Sequence, residues 1–204
     1  MAHPITDTVA AIELRSVPSG LVALDALVKE AIVTVRYAGD IDPSRFLIVF
    51  DGALADVEAA LLKAIDVADV DVLETLLLPR AHPRLRAGIG GDFTPPTGPA
   101  DREWTIGVLQ CHTVIATIAA TDRALKAAEC ALLRLRIATD LAGQGHAVVA
   151  GEQFDVEAAL EAAIETAEVG VAVETRLIPR AAIETFLAAG QRASGARPLR
   201  SLQP

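Results

Sequence analysis

Asp56-Val57-Glu58-Ala59-Ala60-Leu61 is written a second time as Asp155-Val156-Glu157-Ala158-Ala159-Leu160. Further along, Glu74-Thr75, Leu77 and Pro79-Arg80 recur as Glu174-Thr175, Leu177 and Pro179-Arg180. A spacing of about 100 residues far exceeds the roughly 20–50 of a solenoid unit, so each copy is long enough to be a domain with its own core. The repeated hexapeptide reads as the start of a helix. Val57, Ala60, Leu61, Ala64 and Ala68 fall at i, i+3, i+4, i+7 and i+11, a single apolar stripe fit to face a sheet. Val156, Ala159, Leu160, Ala163 and Ala167 repeat that stripe in the second copy. Asp56 and Asp155 supply the acid that a helix start favours, as cap or as complement to the macrodipole.

Outward from this helix, strand patterns cover 11–14, 32–36, 45–50 and 72–78, and a helical pattern covers about 21–31. The order is β-α-β-β-α-β. It predicts an α+β sandwich of ferredoxin-like type, a four-stranded antiparallel sheet with both helices on one face. The second copy repeats the scheme with strands at 106–111, 131–137, 146–150 and 171–178 and helices at about 116–128 and 155–167. Gly90, Gly91, Pro95, Pro96 and Pro99 mark a linker. The expected organisation is therefore a first domain over 1–88, a linker over 89–104, and a second domain with a C-terminal tail over 105–204.

Composition narrows the function. Of the 204 residues 52% are hydrophobic, yet no run approaches the roughly 18 apolar residues of a membrane span. The surplus apolar surface is expected to go into subunit contacts. A net charge of −9 argues against a nucleic-acid partner, and the first residues carry no secretory signal pattern. Cys111 and Cys130 lie in one copy only, too few for a closed metal site, and read as small buried hydrophobes. His3, His82, His112 and His146 have no carboxylate at a repeated spacing, and no Gly-rich phosphate loop is present. Glu58 and Glu157 repeat, but in a first helical turn they complement the dipole. No catalytic constellation or metal site emerges, so the chain is not expected to be an enzyme.

What does repeat without an evident use in a monomer is positive charge. Lys29 and Lys126 end the first helix of each copy, and Arg80 and Arg180 follow a proline after the last strand. With the element order, Gly52 and Gly151 ahead of Asp-Val-Glu-Ala-Ala, and Leu-x-Pro-Arg closing the last strand, these residues give the chain a family likeness. It resembles bacterial microcompartment shell proteins of the tandem-domain class, whose trimers imitate a hexamer.

That resemblance implies a structural role: flat cyclic tiles packed edge to edge in the shell of a protein organelle in the bacterial cytoplasm, each with a pore on its axis. It places Lys29, Lys126, Arg80 and Arg180 at tile edges. It places the loop between the second and third strands at the pore, giving Asp40, Ile41, Asp42, Pro43 and Ser44 from copy one and Asp140, Leu141, Ala142, Gly143 and Gln144 from copy two. The implied partners are two further copies of the chain, other shell proteins, and small metabolites in transit. Some tandem relatives hold an iron–sulfur cluster through pore-loop cysteines; neither loop here has cysteine, so no cofactor is expected. The loop acids, repeated around an axis, predict a pore that disfavours small anions. The reading that competes is a regulatory small-ligand-binding protein of the same ferredoxin-like fold, which would need a polar pocket between its domains.

Overall fold

In a computed structural model the described residues are 7–98, 103–137, 141–165 and 173–190. Copy one comprises β1 (Thr8–Leu14), α1 (Val17–Glu30), β2 (Thr34–Ile41), β3 (Arg45–Gly52), α2 (Leu54–Ala68) and β4 (Val72–Leu78), followed by a short α3 (Pro83–Ile89). Copy two comprises β5 (Thr105–Cys111), α4 (Val114–Ala127), β6 (Ala131–Arg136), β7 (Gly145–Gly151), α5 (Gln153–Glu165) and β8 (Val173–Ile178), followed by α6 (Ile183–Gly190). The sheets have the same antiparallel topology, β2-β3-β1-β4 and β6-β7-β5-β8. The fold class read from the duplicated pattern is the one observed.

Local chemistry explains why these segments form. Ser16 caps α1 by accepting a hydrogen bond from the Ser19 amide at 3.3 Å, and Thr113 caps α4 by accepting from the Ala116 amide at 3.1 Å. The α2 stripe is buried as its spacing requires: Val57, Ala60, Leu61, Ala64 and Ala68. Val156, Ala159, Leu160 and Ala163 are buried in α5, while Ala167 lies outside the described residues. In copy one these alanines join Ala10, Ile12, Leu14, Phe46, Ile48 and Phe50 of the sheet in one core cluster. Small side chains let helix and sheet approach closely.

The copies conserve contacts by exchanging pairs. Gly20 of α1 lies so close to Phe46 that a Cβ there would overlap the ring. At the same contact in copy two the helix carries the larger residue, Thr117, and the strand carries Gly145, where an added Cβ would overlap Thr117. On the other face of the first sheet, buried Glu13 accepts from Arg45 at 2.6 Å. The matching positions hold Gln110 and Gln144, whose amides pair at 2.5 Å. A second ion pair, Arg36 with buried Asp51 at 2.8 Å, gives way to Leu133 and Ala150, members of one apolar cluster. Each exchange keeps either volume or polarity satisfied within the pair.

Three features depart from the sequence reading. Helix α1 starts at Val17, four residues ahead of the helical pattern, because Ser16 caps it and Pro18 suits a first turn. The second strand runs on to Ile41, because a bulge between Val35 and Tyr37 restores its register with β3. The polar loop thereby shrinks to Asp42-Pro43-Ser44. Helices α3 and α6 are additions. In α3, Pro83 suits a first turn and Leu85 and Ile89, four apart, are both buried. In α6, Phe186 and Ala189 pack on Ile106, Leu133, Val148 and Ala150, the sheet face opposite α4 and α5.

The chain divides into two compact units. Of the described residues, the first holds 7–83 and 141–143; the second holds 84–98, 103–137, 144–165 and 173–190. Helix α3 therefore follows copy one in sequence but belongs to the unit built on copy two.

Candidate functional site

The loop between β2 and β3 is a tight turn through a cis Asp42-Pro43 bond, with Ser44 in the left-handed region at φ 58°. Asp40, Pro43 and Ser44 are exposed and Asp42 is half-buried. Ile41 is buried, because it closes β2 in register with Arg45. The Tyr37 hydroxyl donates to the Asp40 carbonyl at 3.1 Å and braces the turn. Burial, reinforced by the charge of Asp40, pushes the Tyr37 phenol up to about 12, so it stays a donor at neutral pH.

Copy two builds the corresponding turn differently. Ala142 and Gly143 are both left-handed, at φ 51° and 80°, and Leu141 precedes them. Residues 141–143 cluster with the first unit, and a Cβ on Gly143 would stand 3.1 Å from the Asp42 carbonyl oxygen. The two sequence-predicted loops thus meet. Gln144 is held by Gln110, and Asp140 lies outside the described residues.

Sequence reasoning passed over the charges on the strands that enter this second turn. Arg134 and Arg136 of β6 flank His146 electrostatically. Burial first, then these two guanidinium groups, lower His146 to about 4, so its imidazole is neutral at pH 7. The signal was in the sequence as Arg134-x-Arg136. It carries weight only once the strand is known to end at the loop.

The four expected edge charges sit at the surface. Lys29 pairs with Asp25 at 2.5 Å on α1, and Lys126 pairs with Asp122 on α4. Arg80 and Arg180 are exposed and both adopt positive φ, 52° and 45°. The next residues close each turn in the same way: the Ala81 amide donates to Asp7 at 2.7 Å, and the Ala181 amide donates to Trp104 at 2.9 Å. A left-handed arginine costs on the order of 1 kcal/mol relative to glycine, yet both copies keep one there. The turn alone would be served better by glycine.

Neither cysteine is in a disulfide and both are buried. Burial, with Asp155 and Glu129 adding to it, pushes the Cys130 thiol up to about 12, which leaves it protonated and inert. Among the described residues no group of three or more His, Cys, Asp or Glu side chains is placed to hold a metal ion. No helix of the described residues is long and apolar enough to cross a membrane.

The clearest asymmetry lies on the first helix of each copy. Leu21, Asp25 and Val28 form an i, i+4, i+7 stripe on α1, and Ile118, Asp122 and Leu125 form its counterpart on α4. In copy two the stripe is covered within the chain: Ile118 is 0% and Leu125 3% exposed. In copy one it is open, with Leu21 at 55% and Val28 at 46%. The adjoining strands differ likewise, β6 being almost wholly buried where β2 alternates between exposed and half-buried.

Comparison with known proteins accords with this geometry. The BMC domain family matches the chain twice, over residues 8–81 and 105–181. A bacterial microcompartment shell protein from Citrobacter freundii, PduT, is 31% identical over 177 residues, covering 86% of this chain and 94% of that protein. A solved microcompartment protein from Desulfitobacterium hafniense superposes with a TM-score of 0.78 at 25% identity, covering 87% of this chain and 96% of the other. A fused permuted hexameric shell protein of the RMM microcompartment, 20% identical, shares the fold with a TM-score of 0.57 over 78% of this chain and 83% of its own.

Proposed function

The chain belongs to the BMC domain family, with the domain present twice, and from that premise we propose that it is a structural shell protein of a bacterial microcompartment, three copies of which close into a pseudohexameric tile. The observation that carries the ring is the unequal burial of the two like stripes. A closed ring of six similar domains needs six similar head-to-tail joints, and heterologous contacts that close do not grow into fibres. Each chain covers the α4 stripe by itself and leaves the α1 stripe, Leu21-Asp25-Val28, for a neighbour. Three chains complete the set.

Within this reading Lys29, Lys126, Arg80 and Arg180 are the rim charges that meet the next tile, with backbone carbonyls and carboxylates as their natural acceptors. The meeting of the Asp42 and Gly143 turns supports a shared central opening. Its lining is narrower than the loop sequences imply, because Ile41 is withdrawn into the chain and Asp40, Asp42, Pro43 and Ser44 remain. Copy two contributes Leu141, Ala142 and Gln144, with Arg134 and Arg136 on the strand behind them. An acidic turn alternating with a basic approach tempers simple anion exclusion: a small anion meets Asp42 at the turn and arginines beside it. The work assigned to the chain is assembly and passage, with other shell proteins as neighbours and metabolites as traffic; it is given no catalytic role.

The test is electron microscopy of the concentrated protein. Sheets or tubes with a repeat of one trimer are expected. A protein that stays as isolated particles at every concentration and salt would remove the tile reading.

A further inference from the structure

The face of the second sheet opposite α4 and α5 gathers basic side chains at positions that are neutral in the first. In β2 and β3, Tyr37 is in register with Val49 and Gly39 with Leu47. The matching pairs of copy two are Arg134 with Val148 and Arg136 with His146. Farther across the sheet, Arg176 stands against Val108 where Leu76 stands against Ala11. Four basic residues thus replace a tyrosine, a glycine and two leucines, in a chain whose net charge is −9. The fold itself does not call for them.

Three of the four form one cluster. Arg134 and Arg136, two apart on β6, stand about 7 Å from each other along one face of the strand, and Arg136 lies directly across from His146. Both guanidinium charges act on the His146 ring. The Nε of Arg134 is buried and has no hydrogen-bond partner among the described residues. Burial first, then the charge of Arg136, lowers the Arg134 guanidinium from its ordinary value, so the two arginines oppose each other's ionisation. The acid that could relieve them has been exchanged. Glu13 stands in register with Leu47 in copy one, but its counterpart beside His146 is Gln110, held by Gln144. The next acid in that row, Glu174, is two strand spacings or about 10 Å from His146 and pairs with Arg176 at 2.9 Å.

We propose that Arg134, Arg136 and His146 bind a dianionic phosphate group, either the free ion or the phosphate of a small ester. Such a group carries nearly two negative charges at neutral pH and at least three acceptor oxygens. That matches two guanidinium forks and the single N–H of a neutral imidazole, whereas a monocarboxylate supplies one charge and two oxygens. The site goes beyond the assembly and passage assigned above. It lies wholly within the second compact unit, so binding does not depend on closure of a ring.

Calorimetric titration of the full-length protein at pH 7 and constant ionic strength tests this with inorganic phosphate, methyl phosphate and acetate. Saturable binding of phosphate is expected, with acetate weaker by about tenfold or more. Methyl phosphate binding as well as the inorganic ion assigns the site to esters, and binding of the inorganic ion alone assigns it to free phosphate. Arg134→Tyr with Arg136→Gly restores the residues of copy one and should weaken phosphate by about tenfold or more, with unchanged circular dichroism. Arg176→Leu removes a charge from the same sheet outside the cluster, again restoring the copy-one residue, and should leave binding within about twofold. Equal losses in the two proteins would reduce the effect to net charge and overturn the proposal. So would acetate binding as tightly as phosphate, or no saturable binding of either phosphate. In the unmutated protein phosphate should also shift the ring-proton resonance of His146, identified by its loss in His146→Gln, and leave that of His112 in place; binding that does not move the His146 signal refutes the site.

Discussion

Arg45→Gln is the substitution from which most can be learned about how the duplicated cores are held. Glu13 is 1% exposed and its Oε1 accepts from Arg45 at 2.6 Å, while its Oε2 has no hydrogen-bond partner. Removing the guanidinium leaves a carboxylate buried without its counter-charge. Breaking a buried pair from one side costs about 3–5 kcal/mol, and the partial exposure of Arg45 puts this case near about 3. For a chain of this length that is a fall of about 6–12 °C in melting temperature. The informative control is the double variant Glu13→Gln with Arg45→Gln, which writes into copy one the Gln110–Gln144 pair already present in copy two at 2.5 Å. A neutral amide pair carries far less desolvation cost, so the double variant is expected within about 1 kcal/mol of the parent. Urea denaturation at one fixed protein concentration measures all three proteins, since assembly couples stability to concentration. A double variant no more stable than Arg45→Gln alone would refute the pairwise reasoning.

Replacing both Arg80 and Arg180 by glycine relieves two left-handed backbones, so the chain should gain up to about 1 kcal/mol per site while its sheets or tubes disappear and the trimer persists. Sheets that survive the change would show that these side chains do not hold tile edges together. Asp42→Asn removes one carboxylate per chain from the turn that meets Gly143. Permeability of assembled shells to small anions should rise and that to neutral metabolites should stay level; no change in either would take Asp42 out of the pore.

What could be read in advance was whatever lies within one element. The α2 and α5 stripes announced their buried faces because the helical period belongs to the segment itself, and strand 72–78 stopped where Pro79 forces it to. Pairing between distant residues was not legible. Nothing in the spacing of Glu13 and Arg45, or of Gly20 and Phe46, shows that they touch, since each contact depends on the register of two strands or a helix over a sheet. Helices α3 and α6 escaped notice because each is about two turns long, short enough for tertiary contacts to outweigh propensity. The open α1 stripe was hidden for a related reason. Its residues match those of α4 in kind, and only the fold reveals that one set is covered within the chain and the other is not. The repeat singled out Lys29, Lys126, Arg80 and Arg180, and resemblance supplied the edge role proposed for them and the pore role proposed for the two loops.

If one chain is an incomplete ring, its native mass must be that of three. Sedimentation of the purified, full-length protein at low concentration is expected to give a single species of three times the 21.3 kDa chain. A stable species at the mass of one chain, folded and with the Leu21-Asp25-Val28 stripe open to solvent, would contradict it.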